Sequence, residues 1–278
     1  MTFDIQFDRP TAEVIGDPVG HSKSPLIHRF WIEALGLDAS YQACHVTADE
    51  LEAYIAARRK DPHWRGCNVT IPHKLAILDH VEDRGGVKSG IGAANTIFRA
   101  EEERTFVATN TDAAGFYTPL SLTDLSGRHA VIIGAGGAAR AVLFALKQAG
   151  IGAVTLIART PLKAMAMLSA LGIKGEVMDF GAPLPVVDLV INASPLGMTG
   201  FEALPEWDLD RLADDAIVYD LVYAPLETPL LASARARGLE TIDGLSMLIG
   251  QAALAFELFF GVPVPADSEA ELRQRLLA

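Results

Sequence analysis

The stretch that most constrains this chain is Arg128-His-Ala-Val-Ile-Ile-Gly134-Ala-Gly136-Gly137-Ala-Ala139-Arg140. His129 to Ile133 is short and mostly apolar, as a buried strand is, and Ala141 to Leu146 continues as a helix toward Gly150. Between them Gly134, Gly136 and Ala139 fit G-x-G-x-x-[GA]. The first glycine permits a tight turn, the second lets backbone approach a pyrophosphate, and the third small residue packs helix on strand. Free N–H groups and the positive dipole end at the helix start attract phosphate. With a strand before it and a helix after it, the pattern predicts a dinucleotide site rather than a bare turn. Gly134, Ala135, Gly136, Gly137 and Ala138 are the residues expected at the phosphates.

The following strand, Ala153 to Ala158, is expected beside the first, with its end facing the adenine ribose. NAD sites usually carry Asp or Glu there, to bind the ribose 2′-hydroxyl. No acid occurs between Gly134 and Lys174; Arg159, Thr160 and Lys163 stand there instead, Arg159 lying 159 − 134 = 25 residues past the first glycine. Cations at that place bond and neutralise a 2′-phosphate, so NADP(H) is expected over NAD. Thr160 as N-cap and Pro161 at the first helical position also make an ordinary solvated helix start, and both readings can hold together.

At 278 residues about two domains are expected, and with 50% hydrophobic residues their cores can be large. No uncharged, glycine-free apolar run reaches about 18 residues, so no membrane span is expected. Met1 to Pro10 carries acids and no apolar signal region, which predicts a cytoplasmic rather than a secreted protein. Cys44 and Cys67 form no metal spacing and no C-x-x-C, and no metal is called for. They read as reduced core residues. The net charge of −12 argues against a nucleic-acid partner. Binding an anionic cofactor then depends on local cations, because salt screens the overall field beyond about 8–10 Å.

In chain order, Glu13 to Gly16 reads as a strand, and Ser24-Pro25 as the N-cap and start of a helix to Gly36. Tyr41 to Val46 is a second strand, followed by a capping box, Thr47-Ala-Asp-Glu50, opening a helix toward Arg59. Gly66 to Ile71 is a third strand, and Pro72-His-Lys74 opens a helix through Leu78. Asn95 to Arg99 and Thr105 to Thr109 make a hairpin, and Asn110-Thr-Asp112 leads into a helix. From His129 on, strand–helix units repeat, with Thr228-Pro229 capping a helix to Gly238. Leu245 to Phe260, apolar nearly all round, is expected to be buried on every side, and Ser268 to Leu277 to form a last amphipathic helix. The fold class is α/β: an N-terminal α/β substrate domain, residues 1–120 completed by 245–278, and a Rossmann NADP-binding domain, residues 121–244. An active-site cleft between the two is expected.

The first domain must supply the chemistry. Ser22 and Ser24 flank a helix start and suit a carboxylate; Ser24 as a plain N-cap reads equally well. Lys74, a cation in a first helical turn, faces the positive end of a helix dipole, which suits a lysine that trades protons; a lysine reaching into solvent remains the alternative. Asp112 sits at a helix start, where an ordinary N-cap also serves, and Asn95 follows a Gly-Ala-Ala turn. Gln251 lies inside the apolar helix, where a buried amide needs partners. His21, His28, His73 and His80 show no zinc spacing and are given no catalytic role.

Seven segments, in order, resemble the shikimate dehydrogenase family: Gly16-Asp-Pro-Val-Gly-His-Ser-Lys-Ser-Pro25, Asn68-Val-Thr-Ile-Pro-His-Lys74, Gly92-Ala-Ala-Asn-Thr96, Asn110-Thr-Asp112, Gly134-Ala-Gly-Gly-Ala138, Tyr219-Asp-Leu-Val-Tyr223 and Asp243-Gly-Leu-Ser-Met-Leu-Ile-Gly-Gln251. The resemblance implies reversible NADPH-dependent reduction of 3-dehydroshikimate to shikimate, on the route to chorismate and the aromatic amino acids. It implies Lys74 and Asp112 as the catalytic pair, and Ser22, Ser24 and Tyr223 as holders of the substrate carboxylate. Thr70, Asn95 and Gln251 match contacts to ring hydroxyls, Arg159 and Lys163 the clamp on the 2′-phosphate, and Leu221 and Gly244 positions beside the nicotinamide. Two departures stand out. Ala158-Arg-Thr160 replaces the common Asn-Arg-Thr, losing an amide but keeping the charge. Asn192-Ala-Ser-Pro195 replaces the common Asn-Ala-Thr-Ser, which stiffens that loop. A quinate/shikimate dehydrogenase using NAD is the nearest rival; serine at Ser24 and the cations at Arg159 and Lys163 count against it. A non-catalytic NADP sensor would tolerate loss of Lys74 or Asp112, and both are present; a binding module for another carboxylate gives no reason for Lys74, Asp112, Asn95 and Gln251 to occur together. The partner is a small molecule, and the chain is expected as a monomer or homodimer.

Overall fold

The computed structural model describes residues 3, 6–100 and 105–277. Met1, Thr2, Asp4 and Ile5 of the N-terminal stretch, the tip of the expected hairpin (residues 101–104) and Ala278 lie outside the described residues. The chain forms two compact units, Met1–Thr111 with Gln251–Ala278, and Asp112–Gly250. The sequence placed these boundaries at 120/121 and 244/245.

The first unit is built on a five-stranded sheet in the order β2-β1-β3-β4-β5. Its strands are β1 (Thr11–Gly16), β2 (Ser40–His45), β3 (Trp64–Val69), β4 (Thr96–Ala100) and β5 (Thr105–Thr109). β1 pairs in parallel with β2 and β3, and β3–β4 and β4–β5 are antiparallel, so the expected hairpin forms. Every residue of central β1 is buried, including the carboxylate of Glu13. That charge is satisfied from several sides. Arg58 of α2 (Leu51–Lys60) donates to it twice, at 2.8 and 3.1 Å, Tyr54 Oη at 2.7 Å, and Trp64 Nε1 and Gln42 Nε2 at 3.1 Å each. A buried ion pair holds only when its remaining lone pairs are bonded as they are here, and losing one partner typically costs about 3–5 kcal/mol.

Three local expectations fail in this unit. Helix α1 (Ser24–Ala34) begins at Ser24 rather than after it, and it is Ser22 Oγ that accepts the Ser24 N–H, at 3.3 Å. At Thr47 half of the capping box forms: Glu50 Oε2 accepts the Thr47 N–H at 3.0 Å. The Thr47 hydroxyl, however, bonds the Glu50 and Asp49 carboxylates, and α2 starts only at Leu51. Residues 71–75 are turns leading into a 3-10 segment, Ala76–Asp79, so Lys74 opens no α-helix. The cause is a distant contact: the Lys74 carbonyl, which a helix would bond four residues on, accepts the Ala94 N–H at 2.7 Å.

The second half of α8 (Gly244–Phe260) belongs to this unit. Phe259 lies so close over Gly66 that a β-carbon there would sit 2.5 Å from its ring. Ala252, Ala255, Phe256 and Phe259 are buried, whereas Leu254, Glu257 and Leu258 form an exposed stripe. The expectation of burial all round is therefore wrong: one face packs, and two leucines sit on the other. Helix α9 (Glu269–Leu277) returns over α1, with Trp31 Nε1 donating to Ser268 Oγ at 3.2 Å and Arg275 stacked 4.7 Å over Phe30.

The second unit is a six-stranded, wholly parallel sheet in the order β11-β10-β9-β6-β7-β8. Numbered from its own first strand this is 3-2-1-4-5-6 read from β8, the Rossmann order. The strands are β6 (His129–Ile133), β7 (Ala153–Ile157), β8 (Gly175–Met178), β9 (Leu189–Asn192), β10 (Ile217–Asp220) and β11 (Glu240–Ile242). Helices α5 (Gly137–Gln148), α6 (Pro161–Ala170) and α7 (Pro229–Ala236) connect them. β6 pairs with β7 on one side and β9 on the other, so the chain order reverses beside it. The carboxyl ends Ile133, Ile157 and Asn192 lie level, which gathers Gly134, Ala158 and Ala193 at one edge.

Candidate active site

In the first unit the expected site residues Ser22 and Ser24 follow the carboxyl end of β1, and Thr70 and Lys74 follow that of β3. The Thr70 N–H donates to Ile15 O at 2.9 Å, and the Asp17 N–H to Ile71 O at 3.0 Å, so the two strand ends are laced together. Gly16 is required there, because a β-carbon would lie 2.4 Å from Thr70 Cγ2. Buried His73 fixes the next turn through a 2.6 Å bond between Nε2 and Val46 O. Lys74, half-buried, follows directly and is tied through its carbonyl to the Gly92–Asn95 turn.

Asn95 is the hub of a buried polar chain. Tyr41 O–H donates to Asn68 Oδ1 at 2.6 Å, Asn68 Nδ2 to Thr96 Oγ1 at 3.2 Å, and Thr96 O–H to Asn95 Oδ1 at 3.1 Å. Asn95 Nδ2 then donates to Gln251 Oε1 at 3.3 Å and to Thr111 Oγ1 at 2.9 Å, while its Oδ1 accepts the Thr111 N–H at 2.7 Å. Bonds running head to tail polarise one another and fix which way each amide faces. The structure thus joins Asn95 and Gln251, which lie 156 residues apart in sequence. The sequence assigns no role to Tyr41, Asn68, Thr96 or Thr111, although the last three stand inside the quoted motifs. Above this chain lies His28, fully buried and stacked face to face on Tyr41 at 4.0 Å, with neither ring nitrogen hydrogen-bonded. Burial drives its pKa down to about 3, against a smaller opposing pull from Asn68.

In the second unit Asp112 opens α4 (Thr111–Tyr117) and is buried; a carboxylate in a first helical turn is favoured by the dipole. The glycine turn has the geometry its pattern implies. Gly134 has φ +113°, and a β-carbon on it would meet Ala193 O at 2.9 Å. Gly136 stands at the N-cap of α5 with nothing within 4 Å of its would-be β-carbon, leaving room for a ligand against the backbone. Ala139 is fully buried against the sheet. A cavity of about 220 Å³ opens here, lined by Gly134, Ala135, Gly136, Ala158, Arg159, Thr160, Lys163, Phe180 and Ala193 to Leu196. Thr160 occupies the N-cap of α6, but its side chain makes no capping bond. An open backbone beside a helix start, with two cations in the same cavity lining, fits a dinucleotide carrying an extra phosphate.

Gly137 and Ala138 begin α5 and lie outside the lining of that cavity. Leu221 and Gly244 also lie outside it but touch each other: a β-carbon on Gly244 would sit 2.4 Å from Leu221 O. Tyr223 is half-buried, and burial raises its pKa. Asp220 and Asn192, at the ends of adjacent strands, organise the turns that follow. Asp220 accepts from Asn192 Nδ2 at 2.9 Å, the Val222 N–H at 3.0 Å and Thr228 Oγ1 at 2.7 Å. Asn192 Oδ1 accepts from the N–H and hydroxyl of Ser194, and its Nδ2 also bonds Leu196 O. Burial raises the Asp220 pKa although three donors oppose it. Of the expected site residues, Ser22, Ser24, Thr70, Lys74, Asn95 and Gln251 belong to the first unit, and Asp112, Tyr223 and all the cofactor residues to the second.

The chain is 59% identical over 269 residues to the shikimate dehydrogenase (NADP(+)) of Sphingopyxis alaskensis, an alignment covering 97% of each. It belongs to the shikimate dehydrogenase family. A model of the shikimate dehydrogenase substrate binding domain matches residues 14–97, and one of the shikimate 5′-dehydrogenase C-terminal domain matches residues 244–268. The fold is similar to that of the shikimate 5-dehydrogenase of Thermus thermophilus solved with NADP(H) and shikimate (TM-score 0.81, 34% identity, 95% of this chain and 98% of that one). It is similar also to a ligand-free 5-ketofructose reductase of Gluconobacter sp. strain CHM43 (TM-score 0.88, 29% identity, 97% and 99%). The family thus pairs a substrate domain with a Rossmann domain, as the two sheets do here. Among the described residues no helix is long and apolar enough to cross a membrane.

Proposed function

We propose that the chain catalyses the reversible NADPH-dependent reduction of 3-dehydroshikimate to shikimate, a step toward chorismate and the aromatic amino acids. The observation that carries this is the 59% identity to an NADP(+) shikimate dehydrogenase across 97% of both chains. The cavity that sets Arg159 and Lys163 beside the glycine turn supports the choice of cofactor.

When bound, NADPH supplies a hydride to the C3 carbonyl carbon of the substrate. As that carbon is reduced, negative charge gathers on its oxygen. Lys74, as an ammonium, stabilises this charge and gives the proton that completes the alcohol; such general-acid help is typically worth about 10²–10⁴-fold. Asp112 holds the lysine and the neighbouring ring hydroxyl in register. Thr70, Asn95 and Gln251 bind the ring hydroxyls, and the fixed facing of the two amides suits them to hydroxyl recognition. Ser22, Ser24 and Tyr223 hold the carboxylate. Arg159 and Lys163 bind the 2′-phosphate, Gly134 to Ala138 the pyrophosphate, and Leu221 and Gly244 border the nicotinamide. The enzyme is read as cytoplasmic, and as a monomer or homodimer acting on a small molecule.

The similarity to a 5-ketofructose reductase makes a ketose the informative rival substrate. A ketose has no carboxylate for Ser22, Ser24 and Tyr223. Absorbance at the NADPH band decides: turnover of shikimate with NADP⁺ is expected to exceed that of quinate with NAD⁺ and the reduction of 5-ketofructose. Folded protein that fails to turn over shikimate would overturn the assignment.

A further inference from the structure

We propose that Phe180 is the surface on which the adenine ring of the cofactor stacks, and that Trp207 holds it in place. The inference rests on the NADP reading of the cavity and extends it to a residue outside the family motifs quoted above. β8 is the edge strand beyond β7, and the chain leaves its carboxyl end through Asp179 to Phe180. In a sheet of this order ligands bind at the carboxyl ends beside the strand reversal. Phe180 lines the cavity that holds the glycine turn and the two cations.

The chemistry of the ligand orders the rest. The pyrophosphate and the 2′-phosphate are carried by one ribose, and the base leaves that ribose from the carbon next to the 2′-position. With one phosphate at Gly136 and the other at Arg159 and Lys163, the base lies along the remaining wall. Among the described residues of that wall Phe180 is the one aromatic; the segment Ala193 to Leu196 offers aliphatic groups and a serine.

The ring is set before any ligand arrives. It is half-buried and packs on the sheet's core. The Trp207 indole lies almost parallel to it, with centroids 6.4 Å apart and planes at 23°. Trp207 Nε1 donates to Ala182 O at 3.2 Å, two residues past Phe180, and so pins the same turn. Base–aromatic stacking by a ring held in this way commonly accounts for roughly 5- to 150-fold in affinity when the ring is cut to alanine.

The test is calorimetric titration of the whole enzyme with adenosine 2′,5′-bisphosphate, NADPH and NADH. Phe180→Ala is expected to weaken all three by a common factor in that range, since adenine is common to them. Arg159→Ala is expected to weaken the bisphosphate and NADPH while sparing NADH. Phe180→Leu keeps apolar packing without the flat face. Weakening in both Phe180 variants supports stacking, whereas unchanged affinity in Phe180→Leu overturns it. Failure of the unaltered enzyme to bind the bisphosphate would remove the NADP reading itself, and the proposal with it.

Discussion

Replacing His28 by phenylalanine should flatten the acid side of the stability profile. The imidazole is wholly buried, stacked on Tyr41 and hedged by Trp31, Phe256 and Phe259 at centroid distances of 5.8–5.9 Å. Its pKa of about 3 lies far below the ordinary 6.5, because burial penalises the charged ring. The unfolded chain takes up a proton that the native chain refuses. A depressed native pKa therefore contributes stability that is present above pH 6.5 and lost as pH falls toward 3. At ~1.4 kcal/mol per pH unit the loss reaches about 2 kcal/mol by pH 5 and about 5 kcal/mol when complete. Phenylalanine keeps the stack and removes the titration, at an overpacking cost of about 1–3 kcal/mol that does not vary with pH. Urea denaturation at pH 7, 6 and 5, followed by tryptophan fluorescence, measures the difference. The unaltered protein should lose ~2 kcal/mol more than the variant between pH 7 and 5. Parallel profiles for the two proteins would show that His28 does not stay neutral and buried.

Three further outcomes are expected. Lys74→Ala should lower kcat by about 10²–10⁴-fold with KM for shikimate little changed, in steady-state assays; near-normal kcat would remove the lysine from proton transfer. Arg159→Ala should raise KM for NADPH by roughly 10- to 100-fold, the range of a lost bond to a charged group, and leave KM for NADH nearly unchanged; equal changes would refute the 2′-phosphate assignment. Thr228 both donates to Asp220 at 2.7 Å and accepts the Leu231 N–H at 3.3 Å as the N-cap of α7. Thr228→Val should therefore cost about 1–3 kcal/mol in chemical denaturation, with Thr228→Ser restoring most of it.

The features that the sequence disclosed are those whose causes are local. The turn at Gly134 needs only its own φ and its flanking strand and helix, and it forms as read. The Thr228-Pro229 start of α7 is a cap between near neighbours and likewise forms. Most of what the sequence concealed depends on partners far along the chain, the Thr47 cap being the exception. Residues 72–78 carry a helix-like pattern, yet a bond from Ala94 to the Lys74 carbonyl withholds the ladder. The Thr47 hydroxyl found two nearby carboxylates and left the helix N–H groups alone. Leu254 and Leu258 are apolar, but packing of Phe256 and Phe259 on His28, Trp31 and Gly66 decides which side of α8 faces inward. Asn95 could be singled out as a turn amide; the chain from Tyr41 through Asn68 and Thr96 to Gln251 exists only once β3, β4 and α8 are assembled. Phe180 carried no signal at all, because a phenylalanine after a strand looks like any core residue.

The bond between Lys74 O and the Ala94 N–H couples two turns that an engineer would otherwise treat as independent modules. Gly92 sits at φ +73° just before it, so a bulkier residue at 92 forces the turn to relax. Redesign of hydroxyl selectivity through residues 92–95 will then reposition the ammonium as well, and altered preference will arrive together with altered rate.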